Sequence, residues 1–339
     1  MNETSFDDMT DLRPDGGQDT AQNTVLVTTA RGKTGRRVAE RLAARGAAVR
    51  AGSRDGGARP GGTPFDWEDP GTWAGALRGA DAAYVAYYPD LAAPGAVDAM
   101  ARFGRLASDA GLRRVVLLSG RGEPEAVRAE DALRAGFPGL TVVRAAFFAQ
   151  NFTEGLLAGG VAEGAVVFPA GSTAEPFVDA DDLADVIVAA LTRDGHEGVV
   201  HELTGPRLLT FAEVAAEIGG AAGREVAYEP VTADEYAALL QGFGVPAPEA
   251  RWLAGLFAML LDGHNASVTD GVKRVLGREP RDFGTSCGRR SGRRRPWPGA
   301  KGGGDRARPR KRFTRTRSTR RRAPGRRPRR GRPVRSPGR

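Results

Sequence analysis

The chain has one cysteine and three histidines in 339 residues. The single thiol, Cys287, excludes an internal disulfide and suits a reducing compartment, so the expected location is the cytoplasm. His196, His201 and His264 lack metal-ligand spacing, and each reads as a solvated or core histidine, with no metal expected. No apolar run is long enough for a bilayer. WLAGLFAMLL, at 252–261, reads as a buried helix and no membrane association is expected. The first 22 residues lack both hydrophobic periodicity and a secretory pattern, which predicts a flexible leader. The last 56 residues, 284–339, contain no Leu, Ile or Met.

Charge of one sign is missing from that last stretch. Residues 284–339 hold 23 of the 50 Lys+Arg but only one of the 41 Asp+Glu, Asp305, leaving 27 bases and 40 acids elsewhere. The formal net charge of +9 therefore belongs to a basic tail joined to an acidic body. With only Val334, Phe313 and Trp297 as large apolar groups, the tail cannot bury a core and is expected to be disordered. An arginine-rich run attracts nucleic acid, or any polyanion, without sequence preference. The same Arg/Pro/Gly vocabulary is also what a shifted reading frame yields in a GC-rich gene.

Ahead of the tail, strand-length apolar runs alternate with helical patterns. VLVT (25–28), AVRAGS (48–53), AAYVAY (82–87), RRVVLLSG (113–120) and LTVVRAA (140–146) read as strands, with a shorter piece at TPFDW (63–67). Helical patterns near 34–45, 95–110 and 123–136 lie between them, and PGTWAGALRG is amphipathic. This alternation predicts an α/β fold, a doubly wound parallel sheet covered on both faces. Beyond 147, FFAQNFTEGLLAGG, FVDADDLADVIVAALTRDG, TFAEVAAEIGGAAG, TADEYAALLQGFG and PAPEARWLAGLFAMLLDG predict a smaller, mostly helical lobe, with VVHELTG as a late strand. The expected organisation is a leader (1–22), a core (23–146), remaining sheet elements plus the lobe over the ligand crevice (147–283), and the tail (284–339).

The loop Thr28-Thr29-Ala30-Arg31-Gly32-Lys33-Thr34-Gly35 joins the first strand to the first helix. A Walker motif needs a glycine five residues before Gly32, where Val27 stands, so the kinase type of phosphate loop is excluded. A dinucleotide loop fits. Gly32 admits a pyrophosphate to the backbone, Gly35 lets the helix pack closely, and helix-start N–H groups hold phosphate with Arg31 and Lys33 as nearby cations. Thr29 replaces the glycine of the tight turn, which predicts a weakened or slightly reshaped site rather than a lost one. The core is therefore expected to be a Rossmann fold. Its second strand ends in Gly52-Ser53-Arg54 rather than in an acid. A hydroxyl and a guanidinium suit a 2′-phosphate, so NADP(H) is expected over NAD(H), unless Arg54 is a solvated loop residue. Asp66 and Trp67 either border the adenine or serve as turn and core residues.

The order of TTARGKTGRRVAERL, AGSRD, FDWEDPGTW, AYVAYYPDLAAPGA, VVLLSGRGE, TVVRAAFFAQNF, PFVDADDLADV and HELTGPRLLTFAEVAAEI resembles the NmrA-like branch of atypical short-chain dehydrogenases. The likeness spans roughly residues 24–283 and extends to the ergot-alkaloid-type relatives, with their GKT loop and FDW segment. It implies that Gly32, Lys33, Thr34, Gly35, Ser53, Arg54 and Asp66 contact NADP(H). It also implies that Tyr87-Tyr88-Pro89 lies beside the nicotinamide, and that Phe147, Phe148 and Asn151 face substrate. Family members include NADPH-dependent reductases and cofactor-sensing regulators that act through a protein partner.

Short-chain dehydrogenases commonly use Tyr-x-x-x-Lys as an acid–base pair. Here the positions four after Tyr84, Tyr87, Tyr88, Tyr228 and Tyr236 are Tyr88, Leu91, Ala92, Thr232 and Leu240. The pair is absent. A quinone, azo or imine-type acceptor, planar or conjugated, takes hydride face-on without it, and Tyr87, Tyr88, Phe147 and Phe148 offer an aromatic slot or, alternatively, simple packing. Water then supplies any proton; Tyr87 and, just past the fifth strand, Ser119 and Glu123 are the catalytic candidates at the crevice, the last two being equally loop or helix-cap residues.

Overall fold

Side-chain alternation along the central strands builds two cores, one on each face of a sheet. In the first strand, β1 (Thr24–Val27), Val25 and Val27 face one side and Leu26 the other. The computed structural model describes residues 23–56 and 61–288, all within one compact unit. After β1 come α1 (Lys33–Ala43), β2 (Ala48–Ser53), β3 (Gly62–Pro64), α2 (Trp73–Leu77), β4 (Ala82–Val85) and α3 (Ala96–Asp109). β5 (Arg114–Gly120), α4 (Pro124–Gly136) and β6 (Thr141–Ala145) follow. The chain then runs through α5 (Asn151–Glu154), α6 (Ala158–Glu163), β7 (Ala165–Phe168), β8 (Ala174–Glu175), α7 (Ala180–Thr192) and β9 (Val200–Leu203). It closes with β10 (Leu209–Thr210), α8 (Phe211–Ala222), β11 (Ala227–Pro230), α9 (Ala233–Gly242), α10 (Ala247–Leu260), α11 (Gly271–Leu276) and α12 (Phe283–Gly288).

Among the described residues the main sheet has seven strands in the order β3-β2-β1-β4-β5-β6-β9, and every neighbouring pair is parallel. The doubly wound Rossmann fold is therefore present. Helices α1, α7 and α11 cover one face through Val38, Leu42, Leu183, Ile187 and Val272. Helices α2, α3 and α4 cover the other through Trp73, Met100, Phe103 and Leu133. Strand order turns outward in both directions from between β1 and β4, which opens a crevice at their carboxyl ends.

A third core fills the C-terminal lobe, where Phe152, Phe168, Phe177 and Phe211 pack with ring centroids 5.1–5.7 Å apart. The lobe is not purely helical. It contains an antiparallel β8–β10 pair and a parallel β7–β11 pair, each too short to leave a periodic signal. The helical pattern at 147–160 divides into α5 and α6, because Gly155 interrupts it with an extended backbone. Helix α10 is buried on one face only: Ala254 and Leu256 are buried, whereas Arg251, Gly255 and Ala258 are exposed. Phe283 is 2% exposed and Ser286 Oγ donates to the Asp179 carboxylate, so residues 284–288 belong to the fold and correct the expected disorder there. The leader 1–22 and the remaining tail, 289–339, lie outside the described residues. Among the described residues no helix is long and apolar enough to cross a membrane.

Candidate functional site

The glycine loop closes on itself at the carboxyl end of β1. Gly32 N–H donates to Thr29 O at 2.8 Å, and no described residue other than glycine has a positive φ, so Thr29 sits in the turn without strain. Gly32 is the N-cap of α1 and supplies no side-chain cap, which leaves the helix-start N–H groups open to an anion. Gly35 is required by contact: a Cβ there lies 2.0 Å from Thr29 O. Thr28 Oγ1 accepts Ala86 N–H at 3.1 Å and joins the ends of β1 and β4. A bare main-chain cradle at a helix start fits a dinucleotide pyrophosphate.

At the end of β2, Asp55 gathers the neighbouring polar groups. Arg31 donates to both of its oxygens at 2.7 and 3.0 Å, and Ser53 Oγ donates to Oδ1 at 2.7 Å. Arg54 is exposed beside them. On the other side of the loop, Lys33 donates to Asn151 Oδ1, with its ammonium 5.8 Å from the Phe148 ring centroid. Burial lowers its pKa, while Glu154 opposes the shift.

From Lys33 a cavity of about 480 Å³ extends over the ends of β4, β5 and β6. Tyr87, Phe147 and Phe148 form part of its wall, and Trp252, Leu256 and Phe257 of α10 roof it. Among its charged groups acids outnumber bases. Asp90, Glu123, Glu175 and Glu249 face Lys33 and Arg121. Burial first, then the Asp90 charge, pushes Glu123 up to about 9, so its carboxyl is protonated at neutral pH. Burial also raises Glu175, to about 7, against the pull of Arg121 and His264. Asp90 is raised by burial as well, although the Ala92 N–H opposes this.

No family model matches the chain. An uncharacterized oxidoreductase of Bacillus subtilis, YesF, is 34% identical over 271 residues, 77% of this chain and 93% of that protein. The Citrobacter triphenylmethane reductase complexed with NADP(H) superposes with a TM-score of 0.59 at 21% identity, covering 79% of this chain and 99% of that one. NmrA, a negative transcriptional regulator in complex with NAD, superposes at 0.59 and 19% identity, covering 79% and 95%. The chain belongs to the NmrA-like atypical short-chain dehydrogenases. Each of these two structural neighbours holds a nicotinamide dinucleotide.

In this NmrA-like chain the structure brings Tyr87, Tyr88, Ser119, Glu123, Phe147, Phe148 and Asn151 to one cavity with Lys33. Their orientations differ from what the sequence implied. Ser119 Oγ donates to the buried Glu130 at 2.6 Å, and Arg144 grips the same carboxylate at 2.7 Å, so this hydroxyl is engaged away from the cavity. Thr34 Oγ1 shares a 2.7 Å hydrogen bond with the buried Tyr84 hydroxyl, leaving only its N–H for a phosphate. Asp66 Oδ1 accepts Glu68 N–H at 3.1 Å, which makes it a turn residue. Trp67 donates to Ala86 O at 2.9 Å and packs 5.1 Å from Tyr87, buttressing the wall from behind. Phe147 is shared between cavity and core, with Phe211 and Phe168 rings at 5.6 and 5.7 Å. Tyr88 is 69% exposed, at the rim. Sequence reasoning missed Asp90, Glu175 and the α10 roof. The two acids carry no local signal, but the wide apolar surface of α10 exceeds what one buried face needs.

Proposed function

We propose that this chain is an NADPH-dependent reductase that acts on a small planar or conjugated acceptor of quinone, azo or imine type. The observation that carries this reading is one aromatic-walled cavity reaching from the cofactor loop to the ends of β4, β5 and β6. Gly32 through Gly35 would hold the pyrophosphate on main-chain N–H groups, and Arg31, Ser53 and Arg54 would surround the adenosine ribose. When bound, the reduced nicotinamide supplies hydride. Tyr87 and Phe148 bound the space for a flat acceptor, the α10 roof excludes water, and Lys33, held by Asn151, fixes the cavity end nearest the loop. Tyr87 keeps its proton, because burial and then Glu68 raise its pKa.

Two guanidiniums against one carboxylate at the β2 end support NADP(H) over NAD(H). The reading is tested by NADPH oxidation against a panel of quinones, azo dyes and imines, with cofactor affinity measured in parallel. Turnover of one or more of these acceptors is expected. Tight NADPH binding without turnover of any acceptor would instead make the chain a cofactor sensor acting through a protein partner.

A further inference from the structure

We propose that Glu123, paired with Asp90 in the cavity wall, is the proton donor to the acceptor, so that this site is built for acceptors whose reduction takes up a proton together with hydride. The inference rests on the reductase reading above. Glu123 is the residue preceding Pro124 at the start of α4, yet its side chain does not cap the helix. An ionised glutamate in that place gains from the helix N-terminus. This one turns instead into the cavity, 6% exposed, with Oε2 lacking any hydrogen-bond donor.

Its neighbours explain why it keeps a proton. The carboxyl of Asp90, from the segment after β4, lines the same cavity, and its charge and hydrogen bonding oppose ionisation of Glu123, since two neighbouring carboxyl groups pair only if one is protonated. Asp90 Oδ1 already accepts Ala92 N–H at 2.8 Å, which favours its ionised form and leaves the proton on Glu123. Glu130 of α4 adds negative charge on the far side. No base answers it. Arg121, at the end of β5, is engaged by Asn265 O at 2.8 Å and by the Ser267 hydroxyl at 2.7 Å. His264, after α10, is held to Asp262 and to Gly122 O. Glu175 of β8 and Glu249 of α10 contribute further acid to the cavity, and Lys33 is turned to Asn151. The pair is thus a proton store facing an apolar acceptor site, the usual setting for a carboxylic general acid.

The step balances. A bound reduced nicotinamide would supply hydride to one end of the acceptor double bond, its own C–H bond breaking as it is oxidised, and the π pair of the acceptor would move to the heteroatom. That atom takes the proton as the Glu123 O–H bond breaks. Glu123 is left as carboxylate and regains a proton from water.

The test uses Glu123→Gln, which keeps a neutral hydrogen-bonding side chain of the same shape but has no acid proton. Two acceptors are compared under saturating NADPH: a quinone, which needs a proton, and a stable carbocation dye, which is complete on hydride addition alone. The quinone kcat is expected to fall roughly 100-fold and the quinone-to-dye ratio to fall at least about tenfold. Equal losses on both, or no loss on either, overturn the proposal. If the dye is not turned over, the kcat pH profile with quinone replaces the ratio, and a high-pH limb that survives in the variant overturns the proposal. Independently of turnover, infrared difference spectra of the cofactor-free protein at neutral pH should lose one protonated carboxyl band in Glu123→Gln. Absence of that change overturns the proposal as well. Failure of the wild type on every acceptor would instead strike the reductase reading.

Discussion

At position 35 a methyl group has no room, because its nearest neighbours, Thr29 O at 2.0 Å and Thr29 C at 2.6 Å, are main-chain atoms that cannot rotate away. Gly35→Ala is therefore expected to push α1 off the loop, weakening NADPH by tenfold or more and lowering the melting temperature, as read by fluorescence titration and calorimetry. The β2 end makes a separate residue-scale prediction. Arg54→Ala should weaken NADPH much more than NADH, whereas Asp55→Asn should tighten NADPH by removing a carboxylate from beside the 2′-phosphate. Both are measured by titrating the two reduced cofactors; equal effects on both would remove the assignment. The shape of the loop was readable because it depends on local backbone, with Gly32 closing on Thr29 O and Gly35 packed against the same carbonyl. Orientations were not readable: Thr34 and Ser119 carry the expected hydroxyls but spend them on Tyr84 and Glu130, partners 50 and 11 residues away.

Between elements, α1 is clamped to α5 and α7 by a ladder of charges. Arg37 donates to Glu154 at 2.8 Å, and Arg41 to Asp181 and Asp185 at 2.8 and 2.6 Å, while Arg278 and Arg281 approach Asp185 from beyond α11. Despite the opposing effect of burial, the hydrogen bonds from Arg37 and Arg36 hold Glu154 down to about 2. A lowered carboxylate value means stability that is present above the unfolded value of 4.5 and is lost as pH falls through about 2. Glu154→Gln should cost ~2 kcal/mol at neutral pH and flatten the acid limb of a denaturant-monitored stability profile. The sequence showed Arg36, Arg37 and Arg41 at helical spacing, but their partners lie over 100 residues away, so their engagement depended on packing.

For the whole molecule, raised and lowered acids shape stability in opposite directions. Glu123 and Glu175 hold protons that the unfolded chain releases, so their contribution is fully present below pH 4.5 and is lost as pH rises through about 7 and then about 9. Glu123→Gln is expected to remove the upper part of that decline in equilibrium unfolding measured at successive pH values. Truncation supplies a second molecular-scale prediction. Ending the chain after Gly288, not at residue 284, keeps Phe283 and Ser286 in place. It should leave NADPH affinity unchanged while abolishing salt-dependent retention on a polyanion column. A shortened chain that still binds the column would move that attraction onto the folded body.

Local pattern was enough to define the alternation of strands and helices, the glycine loop, the charge division and the family likeness, since each depends on residues close together in the chain. What tertiary structure alone decided is the chemistry of the crevice. Asp90, Glu123, Glu175 and the α10 roof are separated by up to about 170 residues and acquire meaning only when the sheet ends and lobe enclose them. Exclusion of water then makes a pair of ordinary carboxyl groups retain a proton, and burial of that kind is a property of the enclosure rather than of any stretch of sequence.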